Sequence, residues 1–379
     1  MPPRRAAFIH SEEIEKYSYP LNCPFKTERA AQVRKTVYQM GLLSGAGIRE
    51  VAPVPADRRA LKRYHTARYL QALKRSQEGK WDAEAMRMGI GDSAECPVFP
   101  GMYDYAALAT GATLVGADLI LSDQADVAFN PSGGYHHAFA EKAAGFCYLN
   151  DNALACMALA DAGRRVLYLD VDVHNGDGVA AAFYDRSDVM TISLHENPKM
   201  LFPGTGFEDE IGERAGRGYC VNLPLPAGTF DQAYMYAFDA VVVPLIRAYK
   251  PDVIVFELGA DTLAGDPLAH LCLTNNTYVE IINRLLRFDK SILMTGGGGY
   301  HVANTVRAWA LAWSVLSGQD DSDGLDAAVG GVMLGSTDWQ GGLRDRELAP
   351  SRQQKETVLP ALKTSIETLK AKLFPLHGL

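Results

Sequence analysis

Asp170, Asp172 and His174 occupy every second position of the stretch LYLDVDVHNGDGV, residues 167–179, and alternate with Leu169, Val171 and Val173. In an extended chain, residues two apart share a face. Two carboxylates and an imidazole then point one way and the valines the other. Burying carboxylates without partners is costly, and a divalent cation compensates well. Asp172 and His174 can offer one oxygen and one nitrogen to the same ion. Alone, Asp-x-His is a short signal that also fits a solvated edge strand or a metal-free Asp–His hydrogen bond. Asp261 ends VIVFELGAD, again a polar residue at the tip of an apolar run. By itself it equally suits a helix N-cap or a turn. Two carboxylates and one imidazole leave a coordination position open for water or substrate, as catalytic zinc requires. Such ligation also suits iron or manganese.

Two further clusters add acid–base chemistry. His136 and His137 follow NPSGGY, in a chain with only nine histidines. They read either as one core and one exposed histidine or as a general acid/base pair beside the metal. Such a pair needs carboxylates to fix its tautomers. Asp170 and Asp177, unclaimed by the metal, can serve. Tyr300 follows four consecutive glycines in TGGGGYH. The glycines imply a special backbone path. They fit a flexible turn, or a loop that aims the hydroxyl at a developing oxyanion. No lysine follows as in a phosphate-binding P-loop.

The elements that must carry these residues are short strands rich in Val, Ile and Leu, alternating with helical patterns. DVAFNPSGG, RRVLYLDVDVH, DVMTISLH, PDVIVFELGAD and KSILMTGGGGYH each follow a helix-like segment. That order predicts an α/β fold with a mainly parallel central sheet and helices on both faces. The distinctive polar residues all fall at strand ends, where open α/β sheets bind ligands. Segments 83–102, 196–218 and 262–272 read as long loops. Leu362, Ile366, Leu369 and Leu373 predict a packed C-terminal helix over about 351–375. No linker is evident, so residues 1–379 are expected to form a single domain.

Composition narrows the function classes. Hydrophobic residues make up 47% and charged residues 22% of the 379, as in a globular protein with a large core. The net charge of −8 argues against a nucleic-acid binder. No run of eighteen uncharged apolar residues predicts a membrane span, and the N-terminus MPPRRAAFIHSEE lacks an apolar run of signal-peptide length. Six scattered cysteines, none in a CxxC pair, suit a reducing cytoplasm.

In this order and at strand ends, these motifs resemble the histone deacetylase family of the arginase–deacetylase fold, especially its class I type and the bacterial acetoin-utilisation deacetylases. The resemblance runs from about residue 7 to 340. It rests on CPVFPGMYDY, NPSGGYHHAFAEKAAGFCYLND, YLDVDVHNGDGV, SLH with FPGTG, ELGADTLAGDPLAHLCLT and GGGGYH. It implies a three-layer arrangement around the sheet and a metal-dependent amidohydrolase that removes acyl groups from lysine side chains. Zinc is the implied ion, with iron as the alternative, held by Asp172, His174 and Asp261. His136 and His137 would be oriented by Asp170 and Asp177, and Tyr300 would hydrogen-bond the substrate carbonyl. Gly145, Phe146 and Phe202 would line an acyl-lysine tunnel, with Leu268 near its mouth. Potassium sites are implied at Asp170, Asp172, His174, Ser193 and Leu194, and at Phe183, Arg186, Val189 and Tyr219. At the latter, Arg186 would contribute only its carbonyl. The family commonly has Asp before CP to grip the substrate backbone, whereas this chain has Glu95.

Three other readings compete. An arginase-like two-manganese enzyme needs Asp-x-Asp-x-x-Asp, but Leu258 to Ala260 are non-acidic before Asp261. An acetyl-polyamine deacetylase is expected to carry an acidic gatekeeper where this chain has Leu268. A non-catalytic acyl-lysine module usually loses a ligand, a histidine or the tyrosine, and all are present.

Overall fold

The computed structural model describes residues 4–91, 95–320 and 342–379. Eight strands form one sheet: β1 (Ala6–Ile9), β2 (Ile48–Val51), β3 (Val127–Asn130), β4 (Val166–Asp170), β5 (Val189–Glu196), β6 (Cys220–Leu225), β7 (Val253–Glu257) and β8 (Ser291–Thr295). Their order is β2-β1-β3-β8-β7-β4-β5-β6, and every neighbouring pair is parallel. The helices are α1 (Glu28–Gln39), α2 (Arg58–Leu61), α3 (Ala67–Gln77), α4 (Ala83–Arg87), α5 (Met102–Leu121), α6 (Asp151–Asp161), α7 (Asp177–Phe183), α8 (Asp231–Ala237), α9 (Val243–Tyr249), α10 (Asn275–Leu286), α11 (Val302–Ser317) and α12 (Arg352–Leu373).

Because side chains alternate along a strand, each strand supplies both layers. Ala7, Ile9, Ala128, Tyr168, Val255 and Leu293 face α5, α6 and α7. Phe8, Phe129, Leu167, Leu169, Phe256 and Met294 pack with α1 and α8 to α12. This is the three-layer α/β arrangement expected, with apolar residues at nearly every position of the inner strands. A third cluster, rich in aromatics and including Tyr19, Phe25, Tyr105, Tyr135 and Tyr148, lies around α3 and the start of α5.

The five strands expected from the pattern are present, but β1, β2 and β6 were not distinguishable by it. β2 and β6 are the two sheet edges. β2 carries exposed Arg49 and Glu50, and β6 carries Pro224. Charge and proline are tolerated at an edge and break the apolar signature. The segment read as a loop from 83 contains α4, whose N-cap Asp82 accepts hydrogen bonds from the main-chain N–H groups of Glu84 and Ala85. Residues 92–94 of that segment lie outside the described residues. α5 is long and apolar enough to cross a bilayer by length and composition, with mean hydropathy 1.2. Two-thirds of it is buried inside the protein, which accounts for a helix that is apolar nearly all round.

α12 sets Val358, Leu362, Ile366, Leu369 and Leu373 against the core, packing on β6 and α8. Leu369→Ala is expected to destabilise the fold by about 2–5 kcal/mol. A thermal or urea unfolding curve unchanged from wild type would show that α12 adds nothing to the core.

Candidate active site

Parallel register brings the strand tips level. Asn130 of β3, Thr295 of β8, Glu257 of β7, Asp170 of β4 and Ser193 of β5 are successive partners across the sheet. Each ends or interrupts an apolar run, so the carboxyl edge of the sheet carries a row of polar groups under the loops that bear the chemistry.

Alternation along one strand does not explain the opening motif. β4 stops at Asp170, and Asp172 and His174 lie on the loop beyond it. That loop still bonds to its neighbours: the Val171 N–H donates to Glu257 O (3.1 Å), and Glu196 N–H donates to Val173 O (2.8 Å). Val171 and Val173 stay buried, while Asp172 and His174 turn towards Asp261. His174 Nδ1 is 3.2 Å from both Asp172 Oδ1 and Asp261 Oδ2. The remaining carboxylate oxygens accept main-chain N–H groups, Asp172 Oδ2 from Gly298 (2.6 Å) and Asp261 Oδ1 from Val173 (2.9 Å). One potential ligand atom from each residue lies within 4.8 Å of the others, and all three residues are buried. Burial pushes the Asp261 carboxyl up to about 7, and the Asp172 charge adds to the rise. Burial opposes charge on His174, but its hydrogen bonds to Asp172 and Asp261 outweigh this and hold it at about 10. This donor set fits a single divalent ion, which would take the place of that proton.

The histidine pair is wired asymmetrically. His136 Nδ1 faces Asp170 Oδ2 at 2.8 Å, and His137 Nδ1 faces Asp177 Oδ1 at 2.8 Å. Their Nε2 atoms are 3.0 Å apart. Glu257 is a third acidic partner that the sequence reading missed. Its Oε1 is 3.2 Å from His136 Nδ1, as an ion pair rather than an aligned hydrogen bond, and its Oε2 accepts from Tyr168 Oη (2.5 Å) and Asn152 Nδ2. Burial works against charge on His136, yet Glu257, Asp170 and Asp172 together hold its pKa well above normal. Burial and the neighbouring His136 charge depress His137 to about 4, with Asp177 opposing. His137 is therefore the neutral ring at pH 7. A charged residue ending β7, in register with Asp170, was the available signal for Glu257. His136, Asp172 and Glu257 form a second potential ligand group within 4.8 Å. It shares Asp172 with the first group, and its His136 Nδ1 already faces both Asp170 and Glu257.

Tyr300 follows a glycine path with little room. At Gly297 and Gly299 φ is +153° and +126°, and a Cβ at Gly298 would lie 1.9 Å from Asp261 Oδ2. The Tyr300 ring lies 6.5 Å from that of His174 and 5.7 Å from that of Phe146. Phe202, 43% exposed, stands edge-on to His137 at 5.0 Å. Phe25, also missed, stacks on Phe146 at 6.0 Å and lines the pocket with Gly134, Cys147, the histidine pair, His174 and Tyr300, whereas Phe146 and Phe202 stand outside that lining. Gly145 has φ +52°, and a Cβ there would sit 2.2 Å from His137 Cδ2. Its N–H donates to the Glu95 carboxylate, which is thus tied to the pocket wall. Leu268 is half-buried on the loop after Asp261 and does not line the pocket floor. Of the implied potassium ligands, Asp170 pairs in register with Ser193, whose hydroxyl also bonds His195 Nδ1 (2.8 Å). Leu194 is the next residue of β5 and is fully buried. Phe183 ends α7, Val189 begins β5 and Tyr219 precedes β6. The Arg186 guanidinium pairs with Asp188 and lies over the Phe183 ring.

Residues 23–316 match the family model described as histone deacetylase domain. The chain belongs to the histone deacetylase family. It is 40% identical over 314 residues to histone deacetylase 8 of Xenopus tropicalis, covering 82% of this chain and 84% of that one. It is 35% identical over 317 residues to histone deacetylase RPD3 of Saccharomyces cerevisiae, covering 83% and 72%. Among solved structures it resembles a histone deacetylase homolog from Aquifex aeolicus, with a TM-score of 0.84 at 30% identity over 97% of this chain and all of that one. A homolog complexed with SAHA matches with a TM-score of 0.85 at 31% identity. These relatives agree with the class I-like resemblance and with the arginase–deacetylase fold.

Two expectations follow for this family member. Gly145→Ala forces strain at positive φ and a clash with His137, so turnover should fall by on the order of tenfold or more while metal content is retained. Normal turnover in that variant would show that the His137 ring can shift freely. His137→Ala should cost more turnover than His136→Ala. Removing His136 also removes a positive neighbour that depresses His137, so His137 holds its proton to higher pH. The acidic limb of the kcat/KM profile should then move to higher pH in His136→Ala, and an unmoved or lowered limb would contradict the coupling.

Proposed function

We propose that the chain is a metal-dependent amidohydrolase that removes acetyl or a related acyl group from lysine side chains of proteins, leaving a free amine and a carboxylate. The observation that supports this best is the convergence at one pocket of a three-residue metal set, a histidine pair backed by separate carboxylates, and a phenol whose hydroxyl makes no hydrogen bond among the described residues.

Asp172, His174 and Asp261 would hold one ion, zinc in preference to iron, which when bound supplies Lewis acidity towards the acyl carbonyl and a lowered water pKa. His137, neutral and with its Nδ1 held by Asp177, takes the proton at Nε2, in place of the His136 contact, as water adds to the carbonyl carbon. It returns that proton to the amine nitrogen as the C–N bond breaks. His136 remains charged, fixed by Asp170 and Glu257, and stabilises negative charge developing nearby. Tyr300 donates to the oxygen that becomes the oxyanion, a type of contact worth ~3 kcal/mol. Phe146 and Phe202 flank the lysine methylenes and exclude water, which strengthens these contacts. Leu268 leaves no acidic anchor for a second ammonium, which favours acyl-lysine over acetyl-polyamine. Glu95 would meet the substrate backbone in the place of the Asp common in the family. Potassium would sit at Asp170, Asp172, His174, Ser193 and Leu194, and at Phe183, Arg186, Val189 and Tyr219. Six cysteines outside any disulfide fit a reducing compartment such as the bacterial cytoplasm.

The test is a panel of acyl-lysine peptides and acetyl-polyamines offered to metal-reconstituted protein. Acyl-lysine peptides should be cleaved and polyamines should not. Asp261→Ala should lose both bound metal and activity. Tyr300→Phe should keep metal and KM but lose turnover on the order of a hundredfold, because charge builds on the carbonyl oxygen only in the transition state. A metal-loaded wild type that cleaves none of the acyl-lysines would refute the activity. A Tyr300→Phe variant within a few-fold of wild type would make Tyr300 a wall of the pocket.

A further inference from the structure

The segment carrying Tyr300 has few side chains of its own to hold it. Its four glycines offer none, and the Tyr300 ring stands against Phe146 and His174. Its main chain is held from several sides, and the buried Arg29 guanidinium donates to the carbonyls of Gly299 (2.7 Å) and Gly297 (3.0 Å). Asp172 Oδ2 accepts the Gly298 N–H (2.6 Å), and the Gly298 carbonyl accepts the Ala260 N–H (2.9 Å). At the tyrosine itself the holder is Asp266, a buried carboxylate on the loop that follows Asp261. Asp266 Oδ2 accepts the Tyr300 N–H at 2.7 Å, and Oδ1 accepts the Leu268 N–H at 2.9 Å. The His301 N–H also points at this carboxylate. A buried carboxylate has strong reason to keep such donors, because losing them leaves the charge unpaired.

We propose that Asp266 is a positioning residue for the reaction: it clamps the main chain of Tyr300, sets where the phenol stands over the acyl carbonyl, and ties that position to Leu268. The inference rests on the reading of Tyr300 as the oxyanion donor. Asp266 does not touch the reacting atoms, so its effect must pass through Tyr300. Losing the clamp lets the phenol shift by a fraction of an ångström to an ångström, which lowers turnover without removing metal or weakening the ground-state complex.

The experiment is a double-mutant cycle on the metal-loaded full chain with an acyl-lysine peptide, using Asp266→Ala, Asp266→Asn and Tyr300→Phe singly and combined. Asp266→Asn is nearly isosteric and preserves the fold where alanine fails. Its amide NH2 cannot accept from one of the N–H groups that the carboxylate serves. Each Asp266 variant should lower kcat ten- to a hundredfold in the wild-type background. KM should stay within a few-fold, and metal content should be unchanged. In the Tyr300→Phe background the same substitution should cost less than about threefold, because the donor it positions is already gone. Wild-type kcat in Asp266→Asn overturns the inference, as does an equal loss in both backgrounds, which would mark a general structural role. If instead Tyr300→Phe itself turns over normally, the oxyanion reading fails and takes the clamp with it.

Discussion

The fold has to keep a crowd of carboxylates buried at the end of a parallel sheet. Asp170, Asp172, Glu257 and Asp261 are each no more than 1% exposed, and the basic groups among them are His136 and His174. Ions stripped of water cost several kcal/mol each unless they are paired and hydrogen-bonded. Main-chain N–H groups meet part of that cost. Asp170 accepts from Asp172, Asp172 from Gly298 and Asp261 from Val173. The rest calls for positive charge, and the two places that call for it differ. At Asp172, His174 and Asp261 the donors converge on one point, as a metal requires. At Asp170 and Glu257 they converge on one ring, and the imidazole itself becomes the cation.

This difference separates two histidines that are adjacent in sequence. His136 shares its Nδ1 between two carboxylates, whereas His137 has only Asp177, at the start of α7, and lies against apolar Phe202. One ring is fixed in the charged state and its neighbour is pushed towards the neutral one. A pair with both rings charged would repel itself, and a pair with both neutral would leave the proton to Glu257 and Asp170, whose carboxyls burial pushes up. The carboxylate count on each side thus assigns the fixed charge to one ring and the neutral state to the other.

Much of this was legible in the sequence because chemistry and strand tips coincide. Asp261, Tyr300 and the histidine pair each follow an apolar run, and their convergence needs only a parallel sheet. The sharing of roles between Asp170 and Asp172 was not legible from alternation, because β4 ends at Asp170 and the loop beyond it decides where Asp172 points. Glu257 sits inside VIVFELGAD, four residues before Asp261, with no motif of its own. Only the register that sets it beside Asp170 gives it a role. Phe25 reaches the pocket from far along the chain through stacking on Phe146, a contact with no local signature. Asp266 lies in a polar loop, where an aspartate by itself says little.

The histidines themselves stand on irregular chain between β3 and α6, yet that segment is firmly held. The hold lies at the first turn of α6. Asn150 accepts the Ala153 N–H as the helix cap, while its amide donates to the carbonyls of His136 (3.1 Å) and Ala138 (2.9 Å). Asp151, the first helical residue, accepts N–H groups from Gly134 and Tyr135 and the hydroxyl of Thr113 on α5. Asn150 and Asp151 therefore complete the start of a buried helix and, with the same side chains, hold the loop on both sides of His136. A helix end already needs partners for its free N–H groups, and the side chains recruited there have further valences to use. Using them on the loop that bears the histidine pair fixes irregular backbone to regular structure without lengthening a strand over the pocket.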